Sequence, residues 1–97
     1  MRNVFLVMRE PGKRWQVGRP LRDQPDWDEH ASFMSQLFEQ GVLLFGGPLG
    51  EDPGRVVLVA AARSREEVLE RLAPDPWLRH DILKIAAIKT WTWYLGS

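Results

Sequence analysis

Two residues of this chain are of the types from which proton-transfer chemistry is built. His30 stands one turn into a segment of helical period and interrupts its apolar stripe, and Asp75 precedes Pro76 at the head of a later helical turn. An imidazole gives and takes protons near neutral pH, as a general base or a hydrogen-bond donor. The positive end of a helix and removal from water both favour its neutral form. A carboxylate beside it would orient the ring or accept its proton. Each residue also has a purely structural reading. A buried histidine needs only a partner, such as a backbone carbonyl, and an aspartate before proline is a natural helix N-cap.

Other residues qualify as ligand contacts on weaker grounds. Gly46, Gly47 and Pro48 either terminate a strand or let backbone approach a ligand closely. Trp15, Trp27 and Trp77 either line a pocket or fill the core. Arg14, Arg19 and Arg22 either meet an acidic substrate or stay solvated, and His80, after Arg79, is expected on the surface. With no cysteine in the chain, disulfides, thiolate chemistry and Cys-based zinc sites are excluded. One histidine with one carboxylate falls short of a metal-ligand set, and no nucleophile completes a triad. Neither a metal nor a cofactor is expected.

The elements that must position these residues follow from apolar period and turn chemistry. Val4 to Met8 is a short apolar run bounded by Arg9, Glu10, Pro11 and Gly12, which fits a buried strand. Glu10 to Pro25, with three prolines and two glycines, has loop composition and is long for a connection of this kind, which points to a lid or binding edge. Asp26 with Glu29 resembles a capping box for a helix that holds its period to Gln40 and stops at Gly41. On that helix Trp27, His30, Ala31, Met34, Leu37 and Phe38 share one side. Val42 to Phe45, ending at Gly46-Gly47-Pro48, and Arg55 to Ala61, after the turn-rich Gly50 to Gly54, read as a hairpin. Ser64 with Glu67 caps a second helix that ends near Pro74, Asp75 and Pro76 open one more helical turn, and Ile82 to Leu95 reads as the last strand.

The order βαββαβ is the split βαβ arrangement called ferredoxin-like, an α+β fold with an antiparallel sheet and its helices on one face. At 97 residues it fills a single domain, residues 1–97. A sheet wet on its other face should alternate apolar and polar residues, and these strands do not. Val4, Leu6 and Met8 alternate with Phe5 and Val7, and Val57, Val59 and Ala61 alternate with Val56, Leu58 and Ala60. A second copy packed on that face would cover it and close a dimeric α/β barrel, so a homodimer is expected. RNA binding is the rival use of such a face, but the third strand, RVVLVAA, offers no aromatic to stack a base. Thirteen basic residues balance thirteen acidic ones, which argues against nucleic acid or an anionic membrane as partner. No segment has the length of a membrane span, and the cytosol is the expected compartment.

The segment WDEHASFMSQLFEQGVLLFGGPLG, the DPW of LAPDPW and the closing TWTWYL together resemble the YCII-related family of small proteins, over nearly the whole chain. Such proteins resemble the dimeric α/β barrel group that includes muconolactone isomerase, in agreement with the sheet pattern. The resemblance implies a site that pairs a helix histidine with the aspartate of a DP motif, matched here by His30 and Asp75. A minority of the family resemble enzymes that isomerise small cyclic compounds or eliminate halide from them. The long loop bearing Trp15, Arg14 and Arg19 departs from the family pattern. The resulting expectation is an isomerase- or lyase-like enzyme using His30 and Asp75 on a small anionic or aromatic molecule, with Trp15, Arg14, Arg19, Gly47, Pro48 and Trp77 as ligand contacts. The alternatives are a non-catalytic small-molecule-binding module and a dimerisation unit.

Overall fold

The computed structural model describes residues 3–96. The element order is β1 (Asn3–Pro11), a 3-10 turn (Leu21–Asp23), α1 (Trp27–Glu39), β2 (Leu43–Leu49), β3 (Asp52–Ala62), α2 (Arg65–Leu72), α3 (Pro76–Arg79) and β4 (Leu83–Thr90). The strands form one antiparallel sheet in the order β2-β3-β1-β4. This is the ferredoxin-like arrangement expected from the element order, with the helices on one face.

Register decides which residues meet them. Phe5 and Val7 of β1 lie opposite Ala60 and Leu58 of β3, and these four form the core with Leu37 of α1, Val68 and Leu72 of α2, Trp77 of α3 and Ile88 of β4. Full burial of an aliphatic side chain contributes about 1.5–3 kcal/mol, so this single cluster accounts for how the short helices are held. Arg9 continues the same inward register of β1 and is buried. On the opposite face Val4, Leu6 and Met8 oppose Ala61, Val59 and Val57. Val59 and Ala61 are buried within the chain, while Met8 is 37% exposed. No helix among the described residues is long and apolar enough to cross a membrane.

Several boundaries differ from the sequence expectation, each for a physical reason. The last strand stops at Thr90 instead of running to Leu95: its ladder with β1 ends where Thr90 opposes Phe5, and one further bond follows, from Trp91 N to Val4 O at 2.8 Å. Tyr94 and Leu95 are exposed. The second strand does not end at Gly46 but continues through Pro48 to Leu49. β2 is an edge strand, where a missing proline N–H costs no ladder bond. Its turn is correspondingly short, with Leu49 opposing Asp52 and Gly50 at φ 63°. Phe38, expected on the buried stripe of α1, is exposed, and only His30 and Leu37 of that helix are fully buried.

The caps divide in the same way. Ser64 Oγ accepts from Glu67 N at 3.1 Å at the start of α2. Asp75 Oδ1 accepts from Trp77 N at 3.0 Å, with Pro76 in the first turn of α3. Asp26 departs from expectation: it sits at φ 61° and its side chain makes no cap bond. An N-cap residue needs extended backbone to aim its oxygen at the helix. The Asp26 carboxylate instead accepts from His80 Nδ1 at 2.7 Å, so the exposed His80 ties the end of α3 to the start of α1.

The segment between β1 and α1 is held down by specific bonds. Gly12 N donates to Ile82 O and Arg14 N to Asp81 O, both at 2.9 Å. A Cβ at Gly12 would collide with the Asp81 carbonyl, so only glycine allows this approach. Gln24 is buried and bonds both ways with Gln16 at 2.8 Å, and it also donates to Arg19 O at 3.0 Å. These bonds fix the loop backbone where it borders α1.

Candidate functional site

The fold brings His30 and Asp75 together although 45 residues separate them in sequence. α1 carries His30 over the sheet, and its ring lies face to face with Trp77 of α3, centroids 3.8 Å apart at 5°. Asp75, as N-cap of α3, is fixed by its bond from Trp77 N, so one short segment supplies both the ring stacked on the imidazole and its carboxylate partner. Trp77 is in turn anchored by its Nε1, which donates to Pro25 O at 2.7 Å. Trp27 leans on both rings and Trp15 meets Trp77 edge-on at 6.1 Å.

Asp75 is wholly buried, and its carboxylate accepts from three donors. Its Oδ1 accepts from His30 Nδ1 at 2.8 Å, and its Oδ2 accepts from Arg9 Nη1 at 2.7 Å. Burial opposes the charge on this carboxyl. The His30 hydrogen bond and the Arg9 guanidinium outweigh that penalty and hold it below the usual carboxylate value of 3.8. An ionised carboxylate can only accept. An imidazole that is neutral and bonded in this way carries its proton on Nδ1 and its lone pair on Nε2. Among the described residues no protein group bonds Nε2.

His30 forms part of the wall of a cavity of about 390 Å³ between α1 and the β2–β3 edge of the sheet. Trp27, Met34 and Phe38 close it on the helix side, with Trp77 and Leu21 at one end. Leu43, Phe45, Gly46, Gly47, Pro48, Val56 and Leu58 form the sheet side. The register shift between Leu43 and Phe45 alters the alternation of β2 just where the cavity begins. Phe38 and Phe45 of this lining are exposed. Apart from His30 and Ser35 the lining side chains are apolar or aromatic, with no lysine, arginine, aspartate or glutamate. Volume and lining are those of a small-molecule site.

Of the residues singled out from sequence, His30, Asp75, Trp77, Gly47 and Pro48 thus lie at one place, four of them on the cavity wall and Asp75 directly behind His30. Trp15 and Arg19 lie elsewhere, on a more open groove between the loop and the β2–β3 turn, shared with Val17, Leu49 and Asp52. Arg14 is exposed and lines neither space. None of the loop's basic residues lines the cavity that His30 lines. Arg9 was missed from sequence. Its signal was there: it follows Phe5 and Val7 at two-residue spacing, and a charge in that inward register requires a buried counter-charge. No group of three or more metal-ligating side chains occurs among the described residues.

No family model matches the chain, and no curated protein matches it. Among solved structures, the fold is similar to that of 5-chloro-2-hydroxyhydroquinone dehydrochlorinase from Burkholderia phenoliruptrix in complex with 2,5-dihydroxybenzoquinone, with a TM-score of 0.57 and 24% identity over 96% of this chain and 95% of that one. At that identity the likeness establishes the shared fold.

Proposed function

We propose that the protein is a small-molecule enzyme in which His30, oriented by Asp75, moves a proton on a planar, hydroxylated ring compound held in the cavity. One observation carries this reading: the imidazole is fixed through Nδ1 by a buried carboxylate, its other nitrogen bonds no described residue, and His30 lines a cavity large enough for one ring. In the proposed reaction a proton on the ligand passes to Nε2. The electron pair left behind either shifts a double bond, with the proton returned at another atom, or expels a leaving group. The first course is isomerisation and the second elimination. The lining has no lysine or arginine, so the ligand is held by stacking and shape, with Trp27 and Trp77 offering ring surfaces. A dehydrochlorinase of the same fold, in complex with a dihydroxybenzoquinone, supports a hydroxylated ring as the ligand class and elimination as one course.

The working unit in this reading is a homodimer, formed by apposing the sheet faces that carry Val4, Leu6, Met8 and Val57. That face is apolar throughout its centre, and Met8 at 37% exposure is among the large apolar side chains the single chain leaves to water. A two-fold pairing covers it.

Chloride release from 5-chloro-2-hydroxyhydroquinone, followed alongside quenching of tryptophan fluorescence by a panel of hydroxylated benzenes and quinones, tests the reading. Quenching by at least one ring compound and chloride release that is lost in His30→Gln are expected. The absence of quenching by any ring compound, or a folded H30Q variant that releases chloride at the wild-type rate, overturns it.

A further inference from the structure

Arg9 lines no part of the cavity, yet it is the buried cation nearest the proposed chemistry. Its guanidinium bonds the carboxylate oxygen of Asp75 that His30 leaves free, at 2.7 Å, and reaches toward Leu83 O at 3.5 Å. Its Nε is buried without a partner. A buried ion pair with an unsatisfied nitrogen is a poor way to stabilise a core, where an apolar side chain of similar volume does as well or better. The charge therefore serves something other than packing.

The groups facing His30 are few. Asp75 approaches from the N-cap of α3, and Arg9 stands behind it on β1. On α1 itself Asp26 is paired with His80, and Asp28 and Glu29 are exposed. β2 and β3 present no charged side chain to the cavity. A carboxylate without a counter-charge favours a second proton on a neighbouring imidazole. A carboxylate whose charge is already balanced still accepts from Nδ1 without that pull.

We propose that Arg9 is a positioning residue for His30: by balancing Asp75 it keeps the carboxylate as acceptor for Nδ1–H and leaves Nε2 as an unprotonated base facing the cavity. This rests on the proton-transfer reading of the site. The test is nitrogen NMR of the full chain labelled with ¹⁵N-histidine, comparing wild type, Arg9→Gln and Arg9→Lys at neutral pH, with circular dichroism to establish folding. Wild type should give one pyrrole-like and one pyridine-like ring nitrogen for His30, with the proton on Nδ1. R9Q should lose the pyridine-like signal, through conversion to imidazolium or exchange between tautomers, and R9K should restore it by returning the charge. An R9Q spectrum identical to wild type overturns the proposal. If R9Q does not fold, R9K decides: a folded R9K that keeps the wild-type pattern upholds the role of the charge, and one that has lost it refutes that role. A merely structural arginine would not move a tautomer. Because the spectrum does not depend on turnover, the role of Arg9 and the proton-transfer reading can fail separately.

Discussion

Asp75→Ala should be among the most damaging single substitutions in this chain, and its cost follows from the bonds it removes. The wholly buried carboxylate accepts from Arg9 Nη1 at 2.7 Å, His30 Nδ1 at 2.8 Å and Trp77 N at 3.0 Å. Deleting one partner of a buried ion pair costs about 3–5 kcal/mol, since the remaining charge is stranded. The lost N-cap is worth about 1 kcal/mol, but the two terms share a side chain and do not simply add. A loss of about 4 kcal/mol is a large part of the roughly 5–15 kcal/mol that holds a domain folded. At about 4–8 °C per kcal/mol for a domain of this size, the midpoint falls by about 16–32 °C. Urea unfolding followed by tryptophan fluorescence measures the change, at one fixed protein concentration because self-association would shift the midpoint. The double variant Arg9→Met with Asp75→Ala should recover much of the loss, because no unpaired charge remains. A cost below about 1 kcal/mol in the single variant, the median for exposed pairs, would refute the buried network.

Three further outcomes are expected. The folded-state pKa of Asp75 is lowered, so the stability it contributes is complete above its unfolded value near 3.8 and is lost as pH falls through the folded value; acid titration of unfolding free energy should show this loss below about pH 4, and Asp75→Asn should remove that part of the slope. Met8→Lys should turn a particle of twice 11.2 kDa into one of 11.2 kDa by light scattering, with the far-ultraviolet spectrum unchanged; a mass unaffected by the substitution would rule out this face as the interface. Gly46→Ala would set a Cβ 2.8 Å from Leu58 Cδ2, and both residues line the cavity; weaker binding of ring compounds, with a stability cost of about 1 kcal/mol, is expected from fluorescence titration and urea unfolding.

The parts of the fold that were legible are those where local chemistry and tertiary context agree. Ser64 and Asp75 cap because non-helical backbone puts their oxygens over the next turn, and the inward register of Phe5 and Val7 could be read from alternation alone. Where a neighbour decides, sequence is silent. The TWTWYL tail is as apolar as a strand, but Thr90 is where opposition to β1 ends. Gly46, Gly47 and Pro48 read as a terminator, yet an edge strand tolerates them. Asp26 has the residue type of a cap but lies at positive φ and is taken by His80, 54 residues away. In the candidate site His30 and Asp75 were each visible as candidates. The cavity beside them, the ring of Trp77 against the imidazole and the Arg9 charge behind the carboxylate are products of the packing.

The claim that Nε2 of His30 moves a proton is tested most directly by isotope exchange. Hydroxyhydroquinone is incubated in D₂O with wild type or with His30→Gln, both shown to be folded and to bind the ring equally, and deuterium entry at its ring carbons is followed by NMR. The account predicts exchange accelerated by wild type and at least about 100-fold slower with the variant, the lower end of what a general base contributes. Equal rates for the two proteins would contradict it.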